Sequence, residues 1–280
     1  MSDLIELALA EDLGDGDVTT RAVVPEGAGA RAMIRQKEPG VVAGIDVARS
    51  VFRQIDSELE FVSHCPAGLW REEGAIAEIT GSGASILAAE RVALNFLGRL
   101  SGVATLTARY VRAVEATGTR ILDTRKTTPG MRELEKAAVR AGGGVSHRSG
   151  LYDGILVKEN HAVLAGGVGA ATRLALEAAP ELARAAGRES LLVEVECATL
   201  AEVEDALAAG VPRILLDNMA PDELRRAVEL ADGRAELEAS GGITLETVRA
   251  VAETGVDYIS VGAVTHSAPA LDVSLLIEPL

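Results

Sequence analysis

The chain has 280 residues, 48% of them apolar, so it can bury a large core and is globular rather than disordered. A formal net charge of -15 with only 2% aromatic residues weighs against nucleic acid, which needs basic surface and stacking platforms, and against anionic membranes. Cys65 and Cys197 form neither a metal-ligand spacing nor a disulfide framework, and no run of about 18 apolar residues occurs, so a cytoplasmic protein without a membrane span is expected.

The N-terminus, MSDLIELALAEDLGDGD, carries acids where a secretory signal carries basic residues. Its Asp12, Asp15 and Asp17 resemble a calcium loop, but the spacing is wrong and the terminal Glu is missing, so no metal is expected there. Next, RAMIRQKEPGVVAGIDVARSVFRQI and ELEFVSHCPAGLWREEGAIAEITGSG mix alternating strands with Gly and Pro turns, the texture of an antiparallel sheet with a helix or two. A helical stretch from Ala84 to Thr117, interrupted around Gly98 and at Ser101 and Gly102, carries the chain onward.

From Ser101 short β-type runs alternate with helical segments, as in a parallel sheet or barrel. The runs end at Asp123, Lys158, Glu196, Asp217, Ser240 and Gly262, and the last four ends are spaced by 21, 23 and 22 residues. That spacing holds one strand, one helix and two short loops per unit. Thr199 with Glu202 forms a capping box, Gly210 closes that helix, Pro221 opens the next, and Thr244 is the expected cap of the one after. The final segment, SAPALDVSLLIEPL, reads as one more strand. The expected organisation is a first domain at residues 1–97, a barrel domain at 98–266 and a C-terminal segment, 267–280, returning to the first domain.

Parallel strands ending on one rim deliver their polar ends to one face, where barrel enzymes place their sites. Between Asp123 and His161, seven Lys or Arg stand against five Asp or Glu in an otherwise strongly negative chain, which points to a small anionic ligand. Arg125, Lys126, His147, Arg148 and Lys158 could hold a substrate with two carboxylates, since guanidinium forks match planar anions. Glu196 and Asp217 end adjacent strands and could hold a hard divalent cation or a ribose, or pair with Lys158 as a structural network. Ser240-Gly241-Gly242 and Gly262-Ala263 follow the last two strands, where barrels often bind phosphate. Gly142 to Gly144 read as a helix C-cap, with close backbone approach to a ligand as the second reading.

The segments DTRKTTPG, GGGVSHRSGLYDGILVKENH, EVE, LLDNM, EASGGI and VDYISVGAVTHS, with EDLGDGDVTT and AERVALNFLGRLSG before them, closely resemble quinolinate phosphoribosyltransferases over the whole chain. The resemblance implies an α/β fold: an N-terminal α/β open-faced sandwich followed by an incomplete TIM-like α/β barrel. It implies a magnesium-dependent reaction of NAD biosynthesis, in which quinolinate and phosphoribosyl pyrophosphate (PRPP) give nicotinate mononucleotide, pyrophosphate and carbon dioxide. By the same resemblance, Thr124, Arg125, Lys126, His147 and Arg148 would hold quinolinate, joined by Arg91 from a neighbouring subunit, so that a homodimer is the minimal unit and a hexamer stays open. Lys158, Glu196 and Asp217 would handle PRPP and Mg²⁺, with Ser240, Gly241, Gly242, Gly262 and His266 around the 5′-phosphate or ribose. Ser146 stands where the family commonly has Asn, and Glu159 where it commonly has Asp. Rival readings are a related phosphoribosyltransferase acting on nicotinate or a molybdenum-related ligand, and a non-catalytic anion-binding barrel.

Overall fold

A computed structural model describes residues 2–280. In chain order, the first part comprises α1 (Ser2–Leu13), α2 (Val18–Val23), β1 (Gly29–Gln36), β2 (Gly40–Val41), α3 (Ile45–Ile55), β3 (Glu60–Ser63), β4 (Trp70–Arg71), β5 (Gly74–Ser82) and α4 (Gly83–Ala113). There follow β6 (Arg120–Leu122), α5 (Arg132–Ala141), β7 (Ile155–Val157), α6 (Glu159–Ala165), α7 (Val168–Ala185), β8 (Val193–Cys197), α8 (Leu200–Ala209) and β9 (Arg213–Asp217). The last elements are α9 (Pro221–Ala231), β10 (Glu236–Ser240), α10 (Val248–Ala252), β11 (Tyr258–Ser260), α11 (Ala263–His266) and β12 (Val273–Pro279). Among the described residues no single helix is long and apolar enough to cross a membrane.

By its internal contacts the chain divides into two compact units. The first holds residues 1–108, 128–143 and 264–280 around an antiparallel sheet in the order β12-β1-β5-β3. Alternation along β1 buries Ala30, Ala32, Ile34 and Gln36 on one face, and the C-terminal β12 pairs with β1 from Ala30↔Pro279 to Gln36↔Val273. Asp17 caps α2 by accepting the Thr20 backbone N–H at 3.0 Å, which is the local role of the acidic N-terminal turn.

The helix expected to break near Gly98 and Gly102 runs unbroken for 31 residues. Its glycines serve close approach: a Cβ on Gly102 would lie 1.9 Å from the Pro269 carbonyl, and one on Gly98 would lie 3.0 Å from that of Leu271. Glycine lets the 269–271 segment pass directly over the helix backbone, so it marks packing here and not a break.

The second unit, residues 109–127 and 144–263, is built on a six-stranded parallel sheet in the order β6-β11-β10-β9-β8-β7. The outer strands β6 and β7 are not joined by hydrogen bonds, so the barrel is incomplete. Val145 forms a short parallel bridge with Leu122 at the β6 edge, an extension hidden in the sequence behind the glycine run Gly142 to Gly144. The strands alternate cleanly: Val193, Val195, Cys197, Ile214, Leu216, Leu237, Ala239 and Ile259 are buried on one set of positions. The intervening positions carry Glu194, Glu196, Asp217, Glu238, Ser240 and Ser260, on the opposite face of the sheet.

Helix signals locate the crossovers. Thr199 caps α8, with its hydroxyl and the Glu202 carboxylate closing a reciprocal box, and Gly210 ends it at φ 83°. Pro221 opens α9. The helix expected to start at Thr244 starts later, because residues 244–247 form a turn in which Thr247 donates its backbone N–H to the Thr244 carbonyl, and Thr247 is the residue before α10.

Candidate active site

At the C-terminal ends of the parallel strands lies a cavity of about 400 Å³, within the size range of small-molecule sites. One side is built from the segment after β6 and the loop before β7, which bring in Thr124, Arg125, Lys126, His147 and Arg148. The other is built from strand ends: Lys158 after β7, Glu196 on β8, Asp217 on β9 and Ser240 on β10. Parallel pairing explains the second group, since Ser240 lies opposite Asp217, and Leu215, two residues before Asp217, lies opposite Glu196.

The cationic side depends on several anchors. Lys126 donates its backbone N–H to Thr124 Oγ1 at 3.0 Å, and His147 donates its own to Asp123 Oδ1 at 2.9 Å. Asp153 accepts the N–H groups of Ser149 and Gly150 at 2.6 and 2.9 Å, folding the loop beyond Arg148 back on itself. Burial alone would raise the Asp153 pKa, but these N–H groups outweigh it and hold the carboxyl below its usual range. Arg148 donates one guanidinium hydrogen bond to the Gly154 carbonyl at 3.2 Å. Its pKa is lowered, first by burial and then by the nearby Arg125 charge. Two guanidinium groups that repel each other in a half-buried cavity are stabilised by an arriving anion.

On the opposite side Lys158 forms an ion pair with Glu196. Its backbone N–H donates to His161 Nδ1 at 2.9 Å, which ties the end of β7 to the first turn of α6. Asn218 donates its side-chain amide to Asp217 Oδ2 at 2.7 Å and its backbone N–H to the Ser240 carbonyl at 2.8 Å. A Cβ on Gly241, whose φ is 103°, would lie 2.1 Å from Asn218 Oδ1. Gly241 therefore makes room for the amide that orients Asp217.

Two acids at the floor of the site, one of them (Glu238) lining the cavity itself, were missed by sequence reasoning. Glu194 and Glu238 are almost completely buried, and Glu194 Oε2 lies 2.8 Å from His147 Nε2. Glu238 Oε2 lies 3.6 Å from the same nitrogen. Burial first, and then the neighbouring Glu194, push the Glu238 carboxyl well above the ordinary carboxylate range. Period-two alternation could have found both: Glu194 shares the inward face with Glu196, and Glu238 shares it with Ser240.

Thr124, Arg125, Lys126, His147, Arg148, Lys158, Glu196, Asp217 and Ser240 thus line one cavity. Gly241 and Gly242 follow Ser240 directly, and Gly262 follows the end of β11, at the same rim but outside that lining. Arg91 is exposed on α4 and His266 is exposed beside Ser267; both belong to the first unit. Ser146 faces a smaller cavity of about 230 Å³ behind Arg148, and Glu159 is exposed at the start of α6.

Family models described as quinolinate phosphoribosyl transferase, N-terminal and C-terminal domains, match residues 17–101 and 103–276. The chain belongs to the quinolinate phosphoribosyltransferase family. A probable nicotinate-nucleotide pyrophosphorylase [carboxylating] of Bacillus subtilis is 42% identical over 276 residues, covering 98% of this chain and 92% of that one. The chloroplastic nicotinate-nucleotide pyrophosphorylase [carboxylating] of Oryza sativa is 43% identical over 98% of this chain and 77% of its own. Among solved structures, NadC from Streptococcus pyogenes superposes with a TM-score of 0.90 at 41% identity, covering 99% of this chain and 96% of that one. The nicotinate-nucleotide pyrophosphorylase from Francisella tularensis gives 0.92 at 38% identity, over 99% and 95%.

Proposed function

We infer that the chain is a carboxylating nicotinate-nucleotide pyrophosphorylase: it transfers phosphoribosyl from PRPP to quinolinate and releases pyrophosphate and carbon dioxide. The observation that carries this reading is the opposition, inside one cavity, of Arg125, Lys126 and Arg148 to Glu196 and Asp217. A pyridine diacid needs fixed cations, which the first group supplies as forks and a point charge. A sugar centre turning positive as pyrophosphate leaves is stabilised by carboxylates, which the second group supplies.

Arg125, Arg148 and Lys126 are assigned to the quinolinate carboxylates with Thr124, and His147 to the same half of the site. Lys158 is assigned to the pyrophosphate side of PRPP, and Ser240, Gly241, Gly242, Gly262 and His266 to its 5′-phosphate or ribose. Glu196 and Asp217 are two carboxylates at the mouth of a cavity that also holds Lys158, a donor set that suits Mg²⁺ completed by substrate phosphates. Bound there, Mg²⁺ would neutralise the leaving pyrophosphate. The pyridine nitrogen attacks the anomeric carbon; once quaternised, it stabilises the carbanion left by loss of the adjacent carboxylate, so the chain need supply no separate base for that step.

Arg91 is assigned to the quinolinate site of a neighbouring subunit, with a homodimer as the minimal unit. Its exposure on α4 supports this reading. Mixed dimers of an Arg91→Ala chain and a Lys158→Ala chain should regain activity; demonstrated mixed dimers without recovery would sink the placement. A cytoplasmic location is favoured by Cys65 and Cys197, both buried and free.

One assay tests the activity itself. The protein is incubated with quinolinate, PRPP and Mg²⁺, and nicotinate mononucleotide and carbon dioxide are measured, with nicotinate replacing quinolinate as the control. Equimolar products from quinolinate alone are expected. Product from nicotinate without carbon dioxide release would instead identify a non-decarboxylating transferase, and no product from either would identify a binding protein.

A further inference from the structure

We propose that Glu194 and Glu238 are positioning residues under the substrate loop: Glu194 holds the His147 ring, Glu238 packs beside it as a neutral carboxyl, and that ring fixes the backbone from which Arg148 reaches the quinolinate carboxylates. The inference rests on the assignment of Arg148 to those carboxylates.

The hydrogen-bond directions fix the ring. Arg148 donates its backbone N–H to His147 Nδ1 at 2.7 Å, so that nitrogen carries no proton. The proton is therefore on Nε2, which donates to Glu194 Oε2 at 2.8 Å. The His147 backbone N–H is taken by Asp123 Oδ1 at 2.9 Å. Both consecutive backbone donors of the loop are thus tied down, one through Asp123 beyond β6 and one through the imidazole to β8. His147 acts in this arrangement as a strut, with its two ring nitrogens engaged inside the protein.

The state of the acids follows from their surroundings. His147, Glu194 and Glu238 each offer an atom within 4.8 Å of the others, and both carboxyls are closed to solvent. The ionisable groups facing them are His147 and Arg148 from the loop and Arg213 from β9, and Arg213 is committed to Glu236, whose Oε2 it approaches with Nε at 3.0 Å and Nη2 at 2.6 Å. Burial first, and then the neighbouring Glu194, disfavour ionisation of Glu238. Glu194 receives the imidazole hydrogen bond, whereas neither oxygen of Glu238 has a hydrogen bond of ordinary geometry to compensate a charge there.

A tetrahedral divalent cation is another occupant that one His and two Glu could suit. At metal–ligand distances of about 2.0–2.1 Å, two ligand atoms of a tetrahedral site lie roughly 3.3 Å apart. The 2.8 Å separation of His147 Nε2 and Glu194 Oε2 is a direct hydrogen bond instead.

Kinetics with each substrate varied in turn test the pair. Glu194→Gln should raise the quinolinate KM about tenfold or more, the loss of one hydrogen bond to a charged acceptor, with the PRPP KM within about twofold. Glu238→Ala should raise the quinolinate KM, and Glu238→Gln, which keeps the shape of a neutral carboxyl, should restore most of it. Glu194→Gln should give no such rescue over Glu194→Ala. Equal damage from Gln and Ala at position 238, a quinolinate KM within about twofold for Glu194→Gln, or a stoichiometric divalent ion bound by the purified enzyme and lost from Glu238→Ala would each overturn the proposal. Should the position-194 variants fail to fold, the Ala-against-Gln contrast at 238 decides alone. Arg148→Ala separates the underlying assignment: undiminished quinolinate binding there refutes it, whereas failure of the acid pair leaves that variant unable to bind.

Discussion

The two sides of the cavity are built by different means. Lys158, Glu196, Asp217 and Ser240 stand at the ends of parallel strands, and the register places them together. Arg125, Lys126 and Arg148 sit on irregular segments held by hydrogen bonds from Thr124, Asp123 and Asp153 and by the His147 ring. A sheet positions its residues through cooperative backbone bonds that no single side chain controls. A loop positions its residues through a few side chains, each of which can be lost alone. Substitution of supporting residues should therefore damage the quinolinate side more than the phosphoribosyl side.

The largest effect is expected from the loop's own anion clamp. Arg148→Ala should weaken quinolinate binding by about 100-fold or more, since a half-buried charge pair with its hydrogen bonds is removed, while the thermal midpoint stays near that of the unaltered enzyme. Arg148→Lys should recover only part, because an ammonium cannot reproduce the planar fork. Titration calorimetry with quinolinate alone measures both. Near-normal binding by the Ala variant would place the clamp elsewhere.

On the strand side, Asp217→Asn should raise the PRPP KM about tenfold and leave quinolinate binding unchanged, because Asn keeps the shape and loses the charge. Asn218→Ala, which removes the amide holding Asp217 Oδ2, should give a smaller rise of about threefold to fivefold. Steady-state kinetics in each substrate separate the two sides. A matching loss of quinolinate affinity in either variant would show that the sides are not independent.

This contrast also explains what could be read from the sequence. Strand ends at Asp123, Lys158, Glu196, Asp217 and Ser240 are visible because a buried parallel strand is a short aliphatic run that stops at a polar residue. Glu194 and Glu238 lie inside such runs, where an acid looks like an interruption, and only the inward face they share with Glu196 and Ser240 gives them a role. Glycines misled in one place and informed in another: Gly98 and Gly102 looked like a helix break and are a crossing point, while Gly241 marks the close approach of Asn218. Local propensity does not distinguish the two uses, since both need a missing Cβ and only the tertiary partner differs.

Gly241→Ala tests the strand side by geometry rather than charge. The new methyl would meet Asn218 Oδ1 and Ala would have to adopt φ near 103°, a conformation costing about 1–3 kcal/mol. Lower stability in denaturant unfolding, a raised PRPP KM and unaltered quinolinate binding are expected. Quinolinate binding that falls as far as PRPP binding would mean that the strain spreads across the cavity.

The smallest effect should appear in the pH dependence of stability, and it bears on the floor beneath the loop. Glu238, facing Glu194 on β8, Arg213 on β9 and His147, has its folded-state pKa raised by burial and by Glu194. The folded protein therefore binds this proton more tightly than the unfolded chain, whose Glu titrates near about 4.3. The stability from the protonated group is complete below that value and is lost as pH rises toward the folded-state pKa. Glu238→Gln has no proton to lose. The stability of the Gln variant relative to the unaltered enzyme should thus increase from about pH 5 upward and level off once Glu238 ionises in the folded state. Chemical denaturation at a series of pH values measures the difference. A flat difference would mean that Glu238 is already ionised in the folded protein at pH 5.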